Sequence, residues 1–522
     1  MALTRRLFLE RLTGTAGAGM TYEAMAAMGL LPVPASAAAP FALRGPGNGA
    51  TVAVLGGGLA GMATAHELTK LGYDCRILEA RMRPGGRCHT IRRGTASEET
   101  DSTQVAAFDE GLYYNPGPMR IPHHHQITLG YCRELGVPIE VFVNENEAAY
   151  VYQTKSRTLG GRRLRQREVR ADMGGYAAEL LSKAIALHAL DEPLTGADRD
   201  ALLEYLRRAG ALDDKASYKG SARRGYLTVP GSGDTPGVPS SPLPLDQLLE
   251  SKTGLYLQQE FITQATMFQV AGGTDRLAAA FAARLGSRIV YGAEIREIRQ
   301  REDEVAIGYV RNGKGHELTA SYAVSALPLP ILASLAVADF EPEIKAGIAA
   351  VQYSSAGKIG LQFSRRFWEE DESIFGGITK TDQEIAQIVY PSTAYLGRKG
   401  VLIGYYQNGT NAAAMAKRTP AERQETALEQ GERIHPQYRK HFENAFSVSW
   451  QNVPWSRGGW AQYSPDARKT AYPVLLRPAG RVYFAGDHVS YLSGWMAGAL
   501  ESGQRVAEAI HSRSTRERSA AA

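Results

Sequence analysis

Gly56, Gly58 and Gly61 stand in a G-x-G-x-x-G spacing that opens directly on the apolar run Thr51–Leu55. Glycines so spaced let a backbone turn tightly, approach a pyrophosphate and press a helix against a strand. The pattern alone is common. Glu79 gives it weight, because it follows Gly61 by 18 residues at the end of the next apolar run, where a carboxylate can accept both hydroxyls of a ribose. An acid there would also repel the extra phosphate of NADP. Other residues of chemical interest are more isolated. Lys358 lies on the alternating segment Gly357-Lys-Ile-Gly-Leu-Gln-Phe363, where an exposed lysine is the ordinary occupant. His123-His124-His125 is expected to be a loop segment and not a metal centre, since coordination needs dispersed ligands and no partnering cluster is visible.

These residues need elements to position them. Residues 51–55 read as a buried strand, 62–71 as a helix stopped by Gly72, and 75–78 as a second strand, which together make one βαβ unit with parallel neighbours. Helical periodicity follows at 177–190 and 199–212 within an inserted segment. Residues 217–245 carry Pro230, Pro236, Pro239, Pro242 and Pro244 and are expected to form a long irregular loop, either a channel wall or a surface excursion. Strand patterns return at 289–309, 358–363 and 401–406. Residues 481–487 read as a buried strand reaching a Gly-Asp turn, and 496–511 as a closing helix.

The 522 residues are 44% apolar and 22% charged, a globular composition too large for a single simple core. Against 54 acidic side chains stand 59 basic ones, a net +5 with no aromatic-laced basic stripe, so nucleic acid is not an expected partner. Cys75, Cys88 and Cys132 have no paired metal spacing and no disulfide-rich pattern. Without an uninterrupted apolar stretch of membrane-spanning length, stable membrane insertion is not expected. Thr4-Arg5-Arg6-Leu7-Phe8-Leu9 resembles a twin-arginine export signature, and Ala35-Ser36-Ala37 could be its cleavage site. Residues 1–40 are therefore expected to direct the protein to the periplasm or outside the cell. A surface arm on a cytoplasmic protein is the alternative, and Glu23 interrupts the apolar stretch.

Arg83-Pro84-Gly85-Gly86-Arg87 resembles the R-x-G-G-R segment of the glutathione-reductase-like flavoproteins, and Ala485-Gly486-Asp487 resembles their second contact with FAD. With those placed, the chain resembles the flavin amine-oxidase family. Gly117-Pro118-Met119-Arg120, Gly272-Gly273-Thr274-Asp275, Lys358 followed by Phe367-Trp368-Glu369, Tyr390-Pro391 and Ser493-Gly494-Trp495 narrow the likeness to its L-amino-acid oxidase subgroup, over about residues 50–511.

The resemblance implies an α/β fold in which a Rossmann-type FAD domain is assembled from residues 50–104, 261–345 and 471–511. A mixed-sheet substrate domain would come from 105–171 and 346–470, a helical domain from 172–260, and a C-terminal tail from 512–522. It implies that FAD touches Gly56, Gly58, Gly61, Glu79, Ala80, Arg81, Gly86, Arg87, Met119, Arg120, Ile295, Gly486, Asp487, Gly494 and Trp495. Arg120 would grip a substrate carboxylate, which suits a planar guanidinium capable of two parallel hydrogen bonds. Tyr390 would donate a second bond to that carboxylate, the Gly494 carbonyl would hold the amino group, Trp495 would flank the substrate, and Lys358 would hold a water beside flavin N5.

The implied reaction is oxidation of an L-amino acid by molecular oxygen to a 2-oxo acid, ammonia and hydrogen peroxide. An amino-acid monooxygenase, an oxidase of other amines and a non-catalytic FAD scaffold share parts of the pattern. Trp495, Phe375 and Tyr390 hint at an aromatic pocket, although acidic residues from the helical segment could instead select Arg or Lys. Homodimers are common in the family.

Overall fold

The computed structural model describes residues 41–187, 189–190, 194–337 and 339–521, so the twin-arginine segment lies outside the described residues. Its organising element is a five-stranded parallel sheet in the spatial order Ile289–Tyr291, Asp74–Glu79, Thr51–Leu55, Tyr322–Ser325, Val482–Phe484. The sequence predicts this centre well, because Val52, Ala53, Val54 and Leu55 are all buried, as expected for a strand covered on both faces.

On one face the helix Leu59–Lys70 packs against Asp275–Leu285 and the C-terminal helix Met496–Ala521. Gly72, at φ +89°, ends the first of these in the left-handed conformation that glycine adopts without strain. The other face is covered by an antiparallel meander, Glu294–Gln300, Val305–Arg311 and Lys314–Ala320, and by the helices Pro342–Ala350 and Pro465–Leu475.

The second sheet is mixed and has seven strands, in the order Phe442–Ser449, Ala356–Phe363, Gly400–Asn408, Gln387–Val389, Ile378–Thr381, Tyr150–Tyr152, Arg163–Arg165. Its pairs are antiparallel except Ile378–Thr381 with Tyr150–Tyr152, which run parallel. Ala356–Phe363 is buried throughout, and its register sets Lys358 opposite Tyr406.

Two expected boundaries move. The inserted helices are Gln166–Ala186 and Gly196–Ala209, so the first starts inside the segment assigned to the substrate domain. The C-terminal helix does not stop at 511 but runs to Ala521, where a separate tail was expected. Its extra turns are held because Arg513 Nε donates to Glu517 at 2.8 Å, and Ser514 is buried.

The proline-rich stretch is less irregular than its composition suggests. A short turn, Ala222–Arg224, leads into a ribbon of Tyr226–Thr228 paired with Val238–Pro239. Buried Asp172 anchors it, accepting from Arg224 Nε (2.6 Å), Tyr218 Oη (2.7 Å) and the Leu243 backbone (2.8 Å). Cys75, Cys88 and Cys132 are buried and free.

Candidate active site

At the end of the first strand the three glycines divide their tasks. A Cβ on Gly61 would come within 2.3 Å of the Gly56 carbonyl and 2.9 Å of Val54, so its lack of a side chain is what seats the helix on the strand. A Cβ on Gly58 would meet nothing within 4 Å, and its bare backbone faces an open cavity at the helix N-terminus. There the unpaired N–H groups and the helix dipole favour an anion. Glu79 is buried beside it, its carboxylate accepting from the backbone of Gly57 (2.7 Å) and Arg81 (2.8 Å). Gly56, Gly58, Glu79, Ala80, Arg81, Gly86, Arg87 and Ile295 all line this cavity of about 220 Å³.

Arg83 does not face the cavity walls; it pairs with Glu98 (2.7 and 2.9 Å) and donates to the Gly86 carbonyl at 2.9 Å, fastening the Gly85-Gly86 turn. Burial would raise the Glu98 carboxyl, but Arg83 and then Arg81 overcome it and pull its pKa down to about 2.

Arg87 belongs to two cavities. Beyond it opens a second, of about 310 Å³, walled by Arg87, Cys88, Met119, Arg120, Lys358, Tyr406, Trp450, Trp460, Asp487, Gly494 and Trp495. Arg87 pairs with Asp487 at 2.5 Å, and the Gly494 N–H donates to the same carboxylate at 2.9 Å. Burial opposes the Asp487 charge, yet Arg87 keeps its pKa below the usual carboxylate range. The C-terminal turn and the N-terminal glycine segment are thereby locked together. Gly486, at φ +152°, donates its N–H to Ser502 Oγ at 2.8 Å.

Arg120 is the cation of the second cavity. Its guanidinium donates to Asn144 Oδ1, which is held in turn by a bond from Asn144 Nδ2 to the Thr263 carbonyl (3.1 Å), and lies 5.8 Å from the Trp495 ring centre. Among the described residues no carboxylate forms an ion pair with it, and burial pulls its pKa below the usual guanidinium value without removing the charge. Lys358, 2% exposed, does not point to solvent. Its Nζ donates to the carbonyls of Gly117 (2.6 Å) and Asn115 (3.2 Å) and lies 4.4 Å from the Tyr406 ring centre. Burial, and after it the charge of Arg120, pulls its pKa well below the ordinary lysine value.

Of the expected residues, Gly61 and Gly486 line neither cavity but shape the turns beside them, and Tyr390 is not brought to the site at all. Tyr390 is fully buried in the core of the seven-stranded sheet, its hydroxyl bonded to Thr379 Oγ1 (2.8 Å) and His435 Nε2 (2.7 Å), and it does not line the cavity. Tyr406 supplies the tyrosine of the cavity wall instead. Phe375, the other hinted aromatic, is 39% exposed and packs on Tyr395.

The histidine run borders the site: His125 meets Trp495 edge-on at 5.1 Å, and His124 stacks on Phe261 at 4.4 Å. Sequence reasoning missed Tyr406, Trp450, Trp460 and Asn115. Alternation within residues 401–406 could have flagged Tyr406, but only the strand register shows that it faces Lys358.

The two cavities meet at a single arginine. One offers bare glycine backbone at a helix N-terminus and a buried carboxylate, which suit a pyrophosphate and a ribose; the other offers room for a flat ring system. That is the shape and chemistry of FAD.

Comparison with known proteins agrees. The sequence profile of the family described as flavin containing amine oxidoreductase matches residues 59–511. An L-amino-acid oxidase of Siganus canaliculatus is 29% identical over 481 residues, 88% of this chain and 85% of that protein. A flavin-dependent L-tryptophan oxidase of Lentzea aerocolonigenes is 29% identical over 491 residues, 88% of this chain and 97% of that protein. Among solved structures, putrescine oxidase bound to putrescine shares the fold with a TM-score of 0.61 at 18% identity, covering 88% of this chain and 98% of that one. The glycine turn, the Arg87–Asp487 lock and the profile over most of the chain lead to one conclusion: the protein belongs to the flavin-containing amine oxidoreductases and binds FAD.

Proposed function

We propose that the protein oxidises L-amino acids at the α-carbon, using FAD and molecular oxygen and producing a 2-oxo acid, ammonia and hydrogen peroxide. The observation that carries this reading is Arg120, a guanidinium on the wall of the second cavity with no carboxylate partner among the described residues. A simple amine would leave that buried charge unmatched, whereas an amino acid brings the carboxylate it lacks. Asn144 holds the guanidinium from behind, so it is oriented before substrate arrives. The Gly494 backbone lines the same cavity as Trp495, and in this reading its carbonyl accepts from the amino group.

Bound FAD supplies the two-electron acceptor for the α-hydrogen and the route of those electrons to oxygen. The chain's own task is orientation and proton handling. Lys358, whose pKa burial and the charge of Arg120 pull well below the ordinary lysine value, can in its unprotonated form take a proton at Nζ as the substrate ammonium gives up its charge. Trp450, Trp460, Trp495 and Tyr406 make much of the remaining wall aromatic, Leu59, Met119 and Met496 add apolar surface, and Asp487, the one carboxylate on it among the described residues, is committed to Arg87. Apolar and aromatic side chains fit that lining better than basic ones.

The likeness to L-amino-acid oxidases of similar length supports the reading. The test is a peroxide assay of the purified holoenzyme over the twenty L-amino acids and their decarboxylated amines. Peroxide with amino acids and none with the amines is expected; the reverse pattern overturns the substrate class, and carboxamide with carbon dioxide in place of the 2-oxo acid identifies a monooxygenase. We also propose export through the twin-arginine route, on the strength of Arg5-Arg6 alone. Cell fractionation with N-terminal sequencing tests it, and a cytoplasmic enzyme retaining residues 1–37 refutes it.

A further inference from the structure

The Gly272-Gly273-Thr274-Asp275 segment lines neither cavity, yet it is bound to the loop that walls one of them. Thr274 donates to the side-chain oxygen of Asn115 from its backbone N–H (3.1 Å) and its hydroxyl (3.2 Å), and Thr90 Oγ1 adds a third donor at 2.8 Å. Thr90, Asn115 and Thr274 are all buried. The neighbouring main-chain carbonyls are engaged as well. Asn115 O and Gly117 O accept from Lys358, and Pro116 O accepts from the Trp450 indole at 3.0 Å.

Two carbonyls on one amine fix its remaining direction. Nζ is tetrahedral: Cε takes one position, the carbonyls of Asn115 and Gly117 take two N–H bonds, and one position is left. We propose that Asn115, anchored by Thr90 and Thr274, is a positioning residue for the oxidation, aiming the free position of the Lys358 amine into the second cavity. This rests on the reading of that cavity as the substrate site. A buried amine that has lost its proton has two N–H groups, which the two carbonyls consume, so the free position is its lone pair. A base so aimed is useful; one free to rotate would spend its lone pair elsewhere. The titratable and charged groups that share its cavity are Arg120 on the loop 115–120, Tyr406 on the adjacent strand, Cys88, and the Arg87–Asp487 pair.

The test uses FAD-loaded, full-length protein and follows anaerobic bleaching of the flavin by L-phenylalanine, or by whichever amine the wild type turns over, from pH 6 to 10. Asn115→Ala removes the acceptor of three donors and is expected to slow bleaching about 10- to 100-fold at pH 8 with little change in the substrate concentration giving half-maximal rate. Asn115→Asp keeps the acceptor and is expected to restore most of the rate on the plateau, while its added negative charge raises the pKa of the base and moves the ascending, acidic limb of the pH profile upward by about one unit. Thr274→Val, which removes one donor and preserves shape, gives an intermediate loss and serves if Asn115→Ala does not fold. Lys358→Met is the reference. If it is impaired while the Asn115 and Thr274 variants match wild type in rate and profile, the positioning role is wrong. An unimpaired Lys358→Met overturns it too. Losses that merely follow FAD content, with no pH shift in Asn115→Asp, reduce Asn115 to a structural part. Failure of the wild type with every amino acid would instead overturn the substrate reading.

Discussion

A guanidinium with no carboxylate partner among the described residues makes a sharp demand on whatever enters the cavity, and Arg120 can be tested one atom group at a time. Arg120→Lys keeps the charge but loses the planar fork, so kcat/KM for amino acids should fall about 10- to 100-fold, the worth of one charge-assisted hydrogen bond of about 1.5–3 kcal/mol. Arg120→Ala should cost more and act mainly through KM. Equal kinetics in all three proteins would remove Arg120 from its role. Glu79 makes a different kind of demand. Its two oxygens accept from Gly57 and Arg81, so Glu79→Ala removes the ribose partner and unseats the turn as well. Loss of the yellow colour on gel filtration is expected, and a fully loaded variant would contradict the contact. Glu79 was legible in the sequence from short-range spacing, a glycine pattern followed by an acid at the end of the next strand, whereas the role expected of Arg120 came from the family resemblance of the Gly117-Pro118-Met119-Arg120 segment. Tyr390 was misplaced for the converse reason. A tyrosine at a strand end can face either side of the sheet, and here it turns into the core beside His435 while Tyr406, on the neighbouring strand Gly400–Asn408, faces the cavity.

At the scale of elements, the loop 115–120 carries more of the site than its length suggests. It presents two carbonyls to Lys358, one to Trp450, and the side chain of Arg120 to the cavity. Gly117 is where it presses closest on its neighbour, since a Cβ there would come within 2.0 Å of the Arg87 carbonyl. Gly117→Ala must therefore move the loop or the Arg87 turn, and either displacement disturbs both arginines. A drop in kcat/KM of about 100-fold is expected while the thermal midpoint shifts by only a few degrees, because the change is local. Activity near wild type would show that the loop's position is not critical. The strands and helices around this loop were mostly visible as hydrophobic periodicity, with Thr51–Leu55 recovered residue for residue. The loop's partners were not. Register between Ala356–Phe363 and Gly400–Asn408, and the hold of Thr274 on Asn115, join residues far apart in the chain, and no local pattern encodes such pairings. The helix running on to Ala521 was missed because its last turns are polar and are stabilised by tertiary partners such as the Tyr322 hydroxyl bound to Glu517.

Across the whole molecule, the cavities are walled by residues from the beginning, middle and end of the chain, so FAD acts as a cross-link that the unfolded chain cannot use. Free FAD at a hundredfold excess over its dissociation constant should add about 2.7 kcal/mol of stability. The same assembly is sensitive to acid. Burial pushes His488 and His125 down to about 4 and His89 to about 3, from an ordinary 6.5. Between pH 6.5 and about 4 the unfolded chain binds protons at these sites and the folded one does not, so stability must fall as pH drops through that window. Each buried ring costs on the order of 1–3 kcal/mol by the bottom of it. Glu98 acts lower down: its pKa of about 2 contributes stability that is complete above its unfolded value near 4.5 and is lost as pH falls toward 2. Because His488 adjoins Asp487 in the turn that locks to Arg87, the acid transition should release the cofactor along with unfolding. Thermal melts of the holoenzyme followed by flavin fluorescence should show a midpoint falling steadily from pH 7 to pH 5, and His488→Gln, which cannot titrate, should flatten that slope. A midpoint independent of pH over this range would mean that the buried imidazoles do not set the acid limit.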